Sequence, residues 1–425
     1  MARGDAERLR EELSKYFPLR ASPWNEDKAT DGESIAPLTD SVFLVRTELR
    51  PRLFDYQIDL IGKFIECIES GSTGLLSLPT GGGKTRTAVV ACLDAFARGT
   101  VNGVIWLAPT RELVEQAFVT FVEMWKLVGG CPDIHVGRGF RQSVERNVCV
   151  TTPQEVYSRL RADADLGLWD AVIFDEAHQL GARTYEEVVR ALRSESATSS
   201  NRAAGLIGLS ATPGRADGDE TDKLVKFFEG NLLTSATLGS NPVLTLQRRG
   251  VLARIEFRRL TKRELPVADE ISRLRVAIKA CQSLAAKGRR VMVFTQTVEG
   301  AECLADALTG LGVSAASVSS KLPSQTRFSI LAAFGDGRIQ VLANQRLLAT
   351  GYDCPAVSDV LLLSPIGSPI LFEQIVGRAA RGPKTGGSAV ARVWEFDDHL
   401  TQHGFPSSYY RYRDYDWSRS VTASK

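Results

Sequence analysis

A glycine-rich segment between an apolar run and a helical pattern is the first place where this sequence could bind phosphate. The run Leu75–Leu78 leads into Pro79-Thr80-Gly81-Gly82-Gly83-Lys84-Thr85, and a helical pattern follows. Glycines in such a turn let backbone N–H groups face the β- and γ-phosphates of a nucleotide at the N-terminus of the helix. Lys84 would add a positive charge, and Thr85 could ligate Mg²⁺. The strict phosphate-loop pattern has a glycine where this chain has Leu78, so one position departs from it.

A second segment supplies carboxylates. The apolar run Ala171-Val172-Ile173-Phe174 is predicted to be a buried strand and ends in Asp175-Glu176-Ala177-His178. Side chains at the carboxyl end of a parallel strand project into the ligand crevice of an α/β fold. There Asp175 could hold Mg²⁺ and Glu176 could polarise an attacking water. The two segments together predict a site that hydrolyses a nucleoside triphosphate.

These elements belong to a chain of 425 residues, long enough for two or three domains. Its composition is 44% hydrophobic and 24% charged, which is typical of a globular protein. Lys and Arg number 52 and Asp and Glu 50, so a polyanion site would have to be a local feature. A charged N-terminus and short apolar runs predict neither a signal peptide nor a membrane span. Seven scattered cysteines predict reduced thiols, no zinc site and a cytoplasmic location.

Short apolar runs alternate with helical patterns from Phe54 onward, which predicts an α/β fold with parallel sheets covered on both faces. The alternation lapses between Pro213 and Leu265 and then resumes. We therefore predict two tandem parallel-sheet domains, at residues 46–235 and 266–398. The remaining ranges are a mobile N-terminal extension at 1–45, an interdomain linker region at 236–265 and an aromatic, basic tail at 399–425.

The order of the motifs resembles that of the superfamily 2 helicases and translocases over about residues 52–398. In the first half these are Phe54-Asp55-Tyr56-Gln57, the glycine-rich segment, Pro109-Thr110-Arg111-Glu112-Leu113, Thr151-Thr152-Pro153, the Asp-Glu-Ala-His box and Ser210-Ala211-Thr212. In the second half they are Val293-Phe294-Thr295-Gln296, Thr350-Gly351-Tyr352-Asp353-Cys354-Pro355 and Gln374-Ile375-Val376-Gly377-Arg378-Ala379-Ala380-Arg381. The resemblance implies two RecA-like domains with an ATP cleft between them, and a nucleic-acid-dependent ATPase that uses ATP and Mg²⁺.

The resemblance also implies roles for individual residues. Nucleotide binding falls to Gln57, which would read the adenine edge, and to Thr80, Gly81, Gly82, Gly83, Lys84, Thr85, Gly351 and Asp353, with Thr85 and Asp175 on the metal. Catalysis falls to Lys84, Glu176, Gln374, Arg378 and Arg381, the two arginines acting as fingers on the γ-phosphoryl group. Coupling to domain closure falls to His178, Ser210, Ala211 and Thr212. Nucleic-acid contacts fall to Thr110, Arg111, Thr151, Thr152, Thr295 and Thr350.

Simpler explanations exist for several of these residues. Each threonine of the nucleic-acid set could equally be an ordinary helix cap or turn residue. Two arginines three positions apart on a helix are usually at the surface. The tail Tyr409–Trp417 could stack on bases, but its aromatic residues are better explained by packing on the second domain or on a partner protein.

Residues around the motifs indicate whether the nucleic-acid substrate is DNA or RNA. DEAH-box RNA helicases usually carry Gly-Glu-Thr where this chain has Leu78-Pro79-Thr80, and its last motifs look more like those of type I and type III restriction motors and excision-repair helicases. DNA is therefore favoured over RNA. Three activities stay open: a DNA-stimulated helicase or translocase in repair, restriction or anti-phage defence, a nucleotide-switched assembly subunit of a multi-protein complex that does not unwind, and an RNA helicase. Possible protein partners include a nuclease, and no membrane partner is expected.

Overall fold

The computed structural model describes residues 3–25, 41–44, 53–127, 133–140, 147–180, 183–200, 203–211, 218–261, 269–349, 352, 354–366 and 368–396. These residues form two compact units. Of the described residues, the first unit takes in 41 to 245, and the second takes in 3 to 25 and 246 to 396. Among the described residues, no helix combines the length and the apolar character needed to cross a membrane.

The helices, in chain order, are α1 Arg3–Ser14, α2 Asp55–Ser70, α3 Lys84–Arg98, α4 Arg111–Leu127, α5 Pro153–Arg161, α6 Arg183–Ser200, α7 Gly218–Phe227, α8 Pro242–Arg248, α9 Glu270–Ala285, α10 Val298–Gly310, α11 Ser324–Asp336 and α12 Pro369–Gly377. The strands are β1 Ser41–Leu44, β2 Thr73–Ser77, β3 Gly103–Leu107, β4 Ile134–Arg138, β5 Asn147–Thr151, β6 Ala171–Phe174, β7 Gly205–Ser210, β8 Leu232–Leu233, β9 Arg254–Arg259, β10 Val291–Phe294, β11 Ala315–Val318, β12 Val341–Asn344, β13 Asp359–Leu362 and β14 Val390–Glu395. Short 3₁₀ turns cover Ala177–Gln179, Ala236–Leu238, Leu347–Ala349 and Pro383–Thr385.

The sheet of the first unit has the order β1-β4-β5-β3-β6-β7-β2-β8. Its neighbouring strands are parallel, except that β1 runs antiparallel to β4. The central strands β3, β6 and β7 are buried along their whole length, because helices cover both faces. This explains why the sequence shows continuous apolar runs there. Strand β7 lies between β2 and β6, so the glycine-rich loop and the acidic box leave the same edge of the sheet on either side of β7.

The second unit contains a parallel sheet of order β11-β12-β10-β13-β14-β9. This arrangement confirms the predicted α/β class with two parallel-sheet domains. Strand β9, however, falls inside the range 236–265 that the sequence predicts as linker, and it pairs along its length with β14. This strand lacks the continuous apolar run that predicts the other strands, because it contains the charged residues Arg254, Glu256 and Arg258. An edge strand tolerates such charges, whereas a central strand would not.

Residues 3–25 correct the expectation of a mobile N-terminal extension. Helix α1 packs on α9 and α10 of the second unit, and Leu9, Leu13 and Phe17 enter its core. Beyond the helix, the side chain of Asn25 exchanges two hydrogen bonds with the backbone of Ser317 on the edge strand β11, at 2.6 and 3.0 Å. The amphipathic pattern of α1 thus has a physical reason, which is burial of its apolar face. Residues 26–40 and the predicted tail 399–425 lie outside the described residues.

The described cysteines Cys67, Cys92, Cys149, Cys281, Cys303 and Cys354 are buried free thiols. Burial raises the pKa of the Cys303 thiol to about 11, and it raises the pKa of Cys92 and Cys281 further in the same direction. These thiols are therefore protonated and unreactive at neutral pH. The prediction of reduced, buried cysteines is confirmed for these six, while Cys131 lies outside the described residues.

We expect Leu13→Ala to lower the free energy of unfolding of the second unit, because Leu13 is fully buried against α9 and α10. Loss of a buried leucine side chain costs about 2–5 kcal/mol. Urea denaturation measures the change in the free energy of unfolding. Hydrogen exchange of the α9 and α10 amides, measured separately, shows whether these two helices lose protection. Leu168→Ala is the matched control, since Leu168 is 61% exposed and should have little effect. Equal protection of α9 and α10 in both variants would contradict docking of α1.

Candidate functional site

The glycine-rich loop joins β2 to α3 in a backbone conformation that requires glycine at two positions. Gly81 has φ 91° and Gly83 has φ 87°, values that residues with a Cβ rarely adopt. The Gly82 N–H donates to the Pro79 carbonyl at 2.8 Å, which closes the turn. Gly83 is the N-cap of α3 and has no side chain to satisfy the first N–H groups of the helix. Such a helix N-terminus, with Lys84 and Thr85 in its first turn, suits an anion.

Two residues of α2 brace this loop. The Tyr56 hydroxyl donates to the Gly82 carbonyl at 2.9 Å. Gln57 is buried, donates to the Thr87 hydroxyl at 3.1 Å and accepts from the Phe54 N–H at 3.0 Å. A Cβ at Gly83 would lie 2.8 Å from the Gln57 amide nitrogen, so the loop approaches this side chain closely. The structure therefore gives Gln57 a bracing role, and its contact with adenine stays a prediction.

The acidic pair Asp175 and Glu176 is buried at the end of β6. The Asp175 N–H donates to the Leu107 carbonyl at 2.8 Å, and the Asp175 carboxylate accepts from the Glu176 N–H at 2.9 Å. Glu176 has φ 50°, an uncommon conformation for a residue other than glycine. Burial raises the pKa of Asp175 to about 7, the nearby Glu176 charge adds to the rise, and Lys84 opposes it. The negative charge of Asp175 is therefore poorly stabilised by the protein alone.

This environment fits a divalent cation. The oxygen donors of Asp175 and Thr85 are of the kind that Mg²⁺ prefers, and a cation would relieve the desolvation of the carboxylate. Within the described ranges, no group of three or more His, Cys, Asp or Glu side chains could hold a metal ion by themselves. Mg²⁺ in phosphate-binding sites is usually held by one or two carboxylates together with substrate phosphates and water.

The predicted coupling residues lie beside these two elements. His178 follows the acidic pair in a 3₁₀ turn, and its Nδ1 lies 3.3 Å from Glu176 Oε2. Ser210 is buried at the end of β7, and its carbonyl accepts from the Leu78 N–H at 3.3 Å. The end of β7 is thus bonded to the start of the glycine-rich loop. Ala211 is partly buried next to Ser210, and Thr212 lies outside the described residues.

The threonines predicted to contact nucleic acid have local structural roles. Thr110 and Thr152 are N-terminal caps: their hydroxyls accept from the Leu113 N–H at 3.3 Å and from the Glu155 N–H at 3.2 Å. The buried hydroxyls of Thr151 and Thr295 donate to Glu155 at 2.7 Å and to the Thr297 carbonyl at 2.7 Å. Arg111, in contrast, is exposed at the start of α4. Thr350 lies outside the described residues. Their contacts with nucleic acid stay predictions.

Glu155 is a residue that the sequence reasoning missed. Its carboxylate accepts a hydrogen bond from the Thr151 hydroxyl, and its N–H group donates one to the Thr152 hydroxyl. A Cβ at Gly139 would lie 2.9 Å from its carboxylate. Its position three residues after a threonine before a helix is a recognisable capping signal.

In the second unit, the predicted catalytic residues lie at the end of α12. Gln374 is buried, and its carbonyl accepts from the Arg378 Nε at 3.2 Å. The Arg378 guanidinium also donates to the Tyr352 carbonyl. Arg381 follows after the helix has ended and forms an antiparallel bridge with Leu252. Gly351 and Asp353 lie outside the described residues. The two halves of the predicted site therefore come from different units.

Two family descriptions match the chain on either side of the linker. The family described as "Type III restriction enzyme, res subunit" matches residues 50–215, and "Helicase conserved C-terminal domain" matches residues 272–383. Together these ranges contain the glycine-rich loop, the acidic box and the whole motif with the arginines. The chain therefore contains a domain of each of these two families, which agrees with its resemblance to the superfamily 2 helicases.

Proteins named as RNA helicases and proteins named as DNA helicases are both similar to this chain. "ATP-dependent RNA helicase DBP3" of Phaeosphaeria nodorum is 26% identical over 339 residues, which cover 76% of this chain and 54% of the relative. "Putative ATP-dependent DNA helicase fml2" of Schizosaccharomyces pombe is 33% identical over 147 residues, 33% of this chain and 18% of the relative. The chain thus spans about half, or less, of the length of these helicases.

A solved helicase structure shows the same fold. The Mycobacterium smegmatis helicase Lhr, bound to ssDNA and AMP-PNP, has a TM-score of 0.60 at 19% identity. The match covers 81% of this chain and 46% of that protein. The two parallel sheets are therefore those of tandem RecA-like domains, which confirms the fold class expected from the motifs of this helicase family.

Asp175→Asn should stabilise the nucleotide-free protein at pH 8 in EDTA, because asparagine keeps the shape of the side chain without its buried charge. The pKa of Asp175 is raised from 3.8 to about 7, so the cost of ionisation is fully present above pH 7. We expect a gain on the order of 1–3 kcal/mol at pH 8, which fades as the pH falls towards about 4.

Urea denaturation at both pH values measures this difference. Asp94→Asn is the control, because the Asp94 carboxylate is partly exposed and pairs with Arg98 at the surface of α3. A surface pair of this kind contributes well under about 1 kcal/mol. A loss of stability in Asp175→Asn at pH 8 would show that the ionised carboxylate is stabilised by the protein itself.

Proposed function

We propose that this protein is a DNA-stimulated ATPase that translocates on or unwinds DNA, with ATP hydrolysis driving closure and opening of a cleft between its RecA-like domains. One observation carries the proposal. The glycine-rich loop after β2 and the buried acidic pair after β6 leave the same edge of one sheet, separated only by β7. A phosphate cradle next to a carboxylate pair is the arrangement that phosphoryl transfer to water needs.

The residues of the first unit would bind and activate. Backbone N–H groups from Thr80 to Thr85, with Lys84, hold the phosphates, while Gln57 contacts adenine. Thr85 and Asp175 hold Mg²⁺, which neutralises charge on the β- and γ-phosphates when it is bound. Glu176 accepts a proton from the attacking water while the water oxygen bonds to the γ-phosphorus. The bond between the γ-phosphorus and the β–γ bridging oxygen breaks, and that oxygen leaves with ADP. The products are ADP and inorganic phosphate.

The second unit would complete the site. Arg378 and Arg381 neutralise charge that develops on the transferred phosphoryl group, and Gln374 lies beside the same group. Gly351 and Asp353 would complete nucleotide binding. Because these residues belong to the second domain, hydrolysis would require the domains to close. His178 and the segment Ser210-Ala211-Thr212 would transmit that closure, and the threonine set with Arg111 would follow the sugar-phosphate backbone.

DNA is the proposed substrate for two reasons. The family match over residues 50–215 is to a restriction-enzyme subunit, and fml2 and Lhr are named as a DNA helicase and as a complex with ssDNA. The similarity to the RNA helicase DBP3 supports RNA as the alternative. We further propose a cytoplasmic location, which the buried reduced thiols support, and a protein partner such as a nuclease in a defence or repair complex.

Glu176→Gln should lower kcat for ATP by about 10²–10⁴-fold, because glutamine cannot accept the proton from water. Nucleotide binding should persist in this variant, whereas Lys84→Ala should weaken it. Phosphate release and binding of a fluorescent ATP analogue measure the two effects. Lys223→Ala is the control, since Lys223 is an exposed lysine of α7 in the same unit. Normal turnover in Glu176→Gln would contradict its role.

The nucleic-acid preference is tested by steady-state ATPase rates without nucleic acid and with single-stranded DNA, duplex DNA or RNA. All measurements use one salt concentration, because affinity for phosphate backbones varies steeply with salt. We expect DNA to stimulate more strongly than RNA, and Glu176→Gln reports any contaminating ATPase. Equal stimulation by RNA would overturn the choice of DNA. An unchanged rate with every nucleic acid would favour a partner-gated assembly switch instead.

A further inference from the structure

A short segment before β9 is hydrogen-bonded to the chain around Arg381. We call the pair of segments Gly250–Ala253 and Ala380–Lys384 the Arg381 clamp. Three backbone hydrogen bonds join them: Ala253 N–H to Ala380 O, Gly382 N–H to Val251 O and Lys384 N–H to Gly250 O, each at 2.9 Å. Leu252 and Arg381 are directly opposite each other in this antiparallel bridge. Arg381 is thus held on both sides along the backbone.

The clamp depends on a close approach at Gly382. A Cβ there would collide with the carbonyl oxygen of Gly250 and lie 2.8 Å from the carbonyl carbon of Val251. Gly382 itself has φ −88° and ψ 175°, an extended conformation open to any residue. The requirement for glycine therefore comes from the neighbouring backbone and not from the local dihedral angles.

A side chain adds to the same contact. The Thr385 hydroxyl lies 3.0 Å from the Val251 carbonyl and 3.0 Å from the Gly382 carbonyl, so its single O–H can donate to a carbonyl of either segment of the clamp. On the far side, the Ser388 N–H donates to the Arg381 carbonyl at 3.1 Å. These bonds immobilise the peptide groups before and after Arg381.

The clamp is anchored in turn to the helix that joins the two units. The N–H groups of Val251 and Leu252 donate to the Leu246 carbonyl at the end of α8, at 2.9 and 3.1 Å. The Gln247 side chain donates to the Ala253 carbonyl at 3.1 Å. Leu246 and Leu252 are also buried, so the anchor is packed as well as hydrogen-bonded. Helix α8 contains the boundary between the units, at Thr245 and Leu246.

We propose that the segment Gly250–Ala253, with Gly382 and Thr385, positions Arg381 for ATP hydrolysis. The proposal rests on the proposed function, in which Arg381 acts on the γ-phosphoryl group. Arg378 is held by Gln374 and Tyr352, while Arg381 lies beyond the end of α12, where the clamp holds its backbone. Displacement by about 1 Å is enough to reduce catalysis about 100-fold.

The test compares full-length Gly382→Ala and Thr385→Val with Arg381→Ala, in ATPase assays at saturating nucleic acid. Arg381→Ala should lower kcat by about 10³-fold or more. Gly382→Ala should lower kcat at least about tenfold and Thr385→Val less, with KM for ATP within about twofold, because the arginine acts in the transition state. In the Arg381→Ala background, Gly382→Ala should cause no further loss, since both changes remove the same interaction.

Gly335→Ala is the matched control. Gly335 is in α11 of the same unit, and a Cβ there would meet only the Tyr352 hydroxyl at 3.9 Å, an ordinary contact. Its kcat should stay within about twofold of the parent. Thermal denaturation followed by circular dichroism establishes that each variant is folded, and Thr385→Val remains as the milder change if Gly382→Ala is not.

The inference is overturned if the folded clamp variants keep the parent kcat while Arg381→Ala is slow, an outcome that leaves the proposed function intact. It is also overturned if Gly382→Ala lowers kcat by the same factor with and without Arg381. Normal turnover in Arg381→Ala itself would refute the catalytic role assigned to this arginine and, with it, the inference.

Discussion

Parallel pairing of β2, β7 and β6 is the constraint on which the candidate site depends. The carboxyl ends of parallel strands lie at one edge of a sheet. Lys84 after β2 and the acidic pair after β6 therefore lie at the same edge, although they are far apart in the sequence. Strand β7 separates them by one strand and bonds to the loop through the Ser210 carbonyl. Helices on both faces exclude water from the sheet. Burial at its edge raises the pKa of Asp175.

Burial of Asp175 links stability to function in this site. The protein places a carboxylate where water cannot solvate it and where a second carboxylate, Glu176, disfavours its charge. A side chain selected for stability alone would be neutral here. A divalent cation bound beside Asp175 would offset this cost, so the arrangement favours ligand binding as its reason.

The second unit is assembled from separate stretches of the chain. Helix α1 is the first described helix, yet it packs on α9 and α10, and the segment before β9 supports Arg381 from a region that looks like a linker in the sequence. Both features follow from the same need. An edge strand and an amphipathic helix are unstable alone, because each leaves polar backbone groups or an apolar face exposed to water.

From the sequence alone we could predict the fold class and the resemblance to helicases, and we could locate the glycine-rich loop and the acidic box, whose ATP chemistry stays a prediction. These depend on short-range patterns: apolar runs of strand length, glycines before a helix and carboxylates after a strand. The three-dimensional structure was needed to show that Gln57 and Tyr56 brace the loop and that Thr110 and Thr152 are helix caps. It also showed that residues 3–25 belong to the second unit and that Gly382 must be a glycine. Each of these depends on what a side chain or a carbonyl meets across a distance in sequence, and neither periodicity nor spacing along the chain specifies that neighbour.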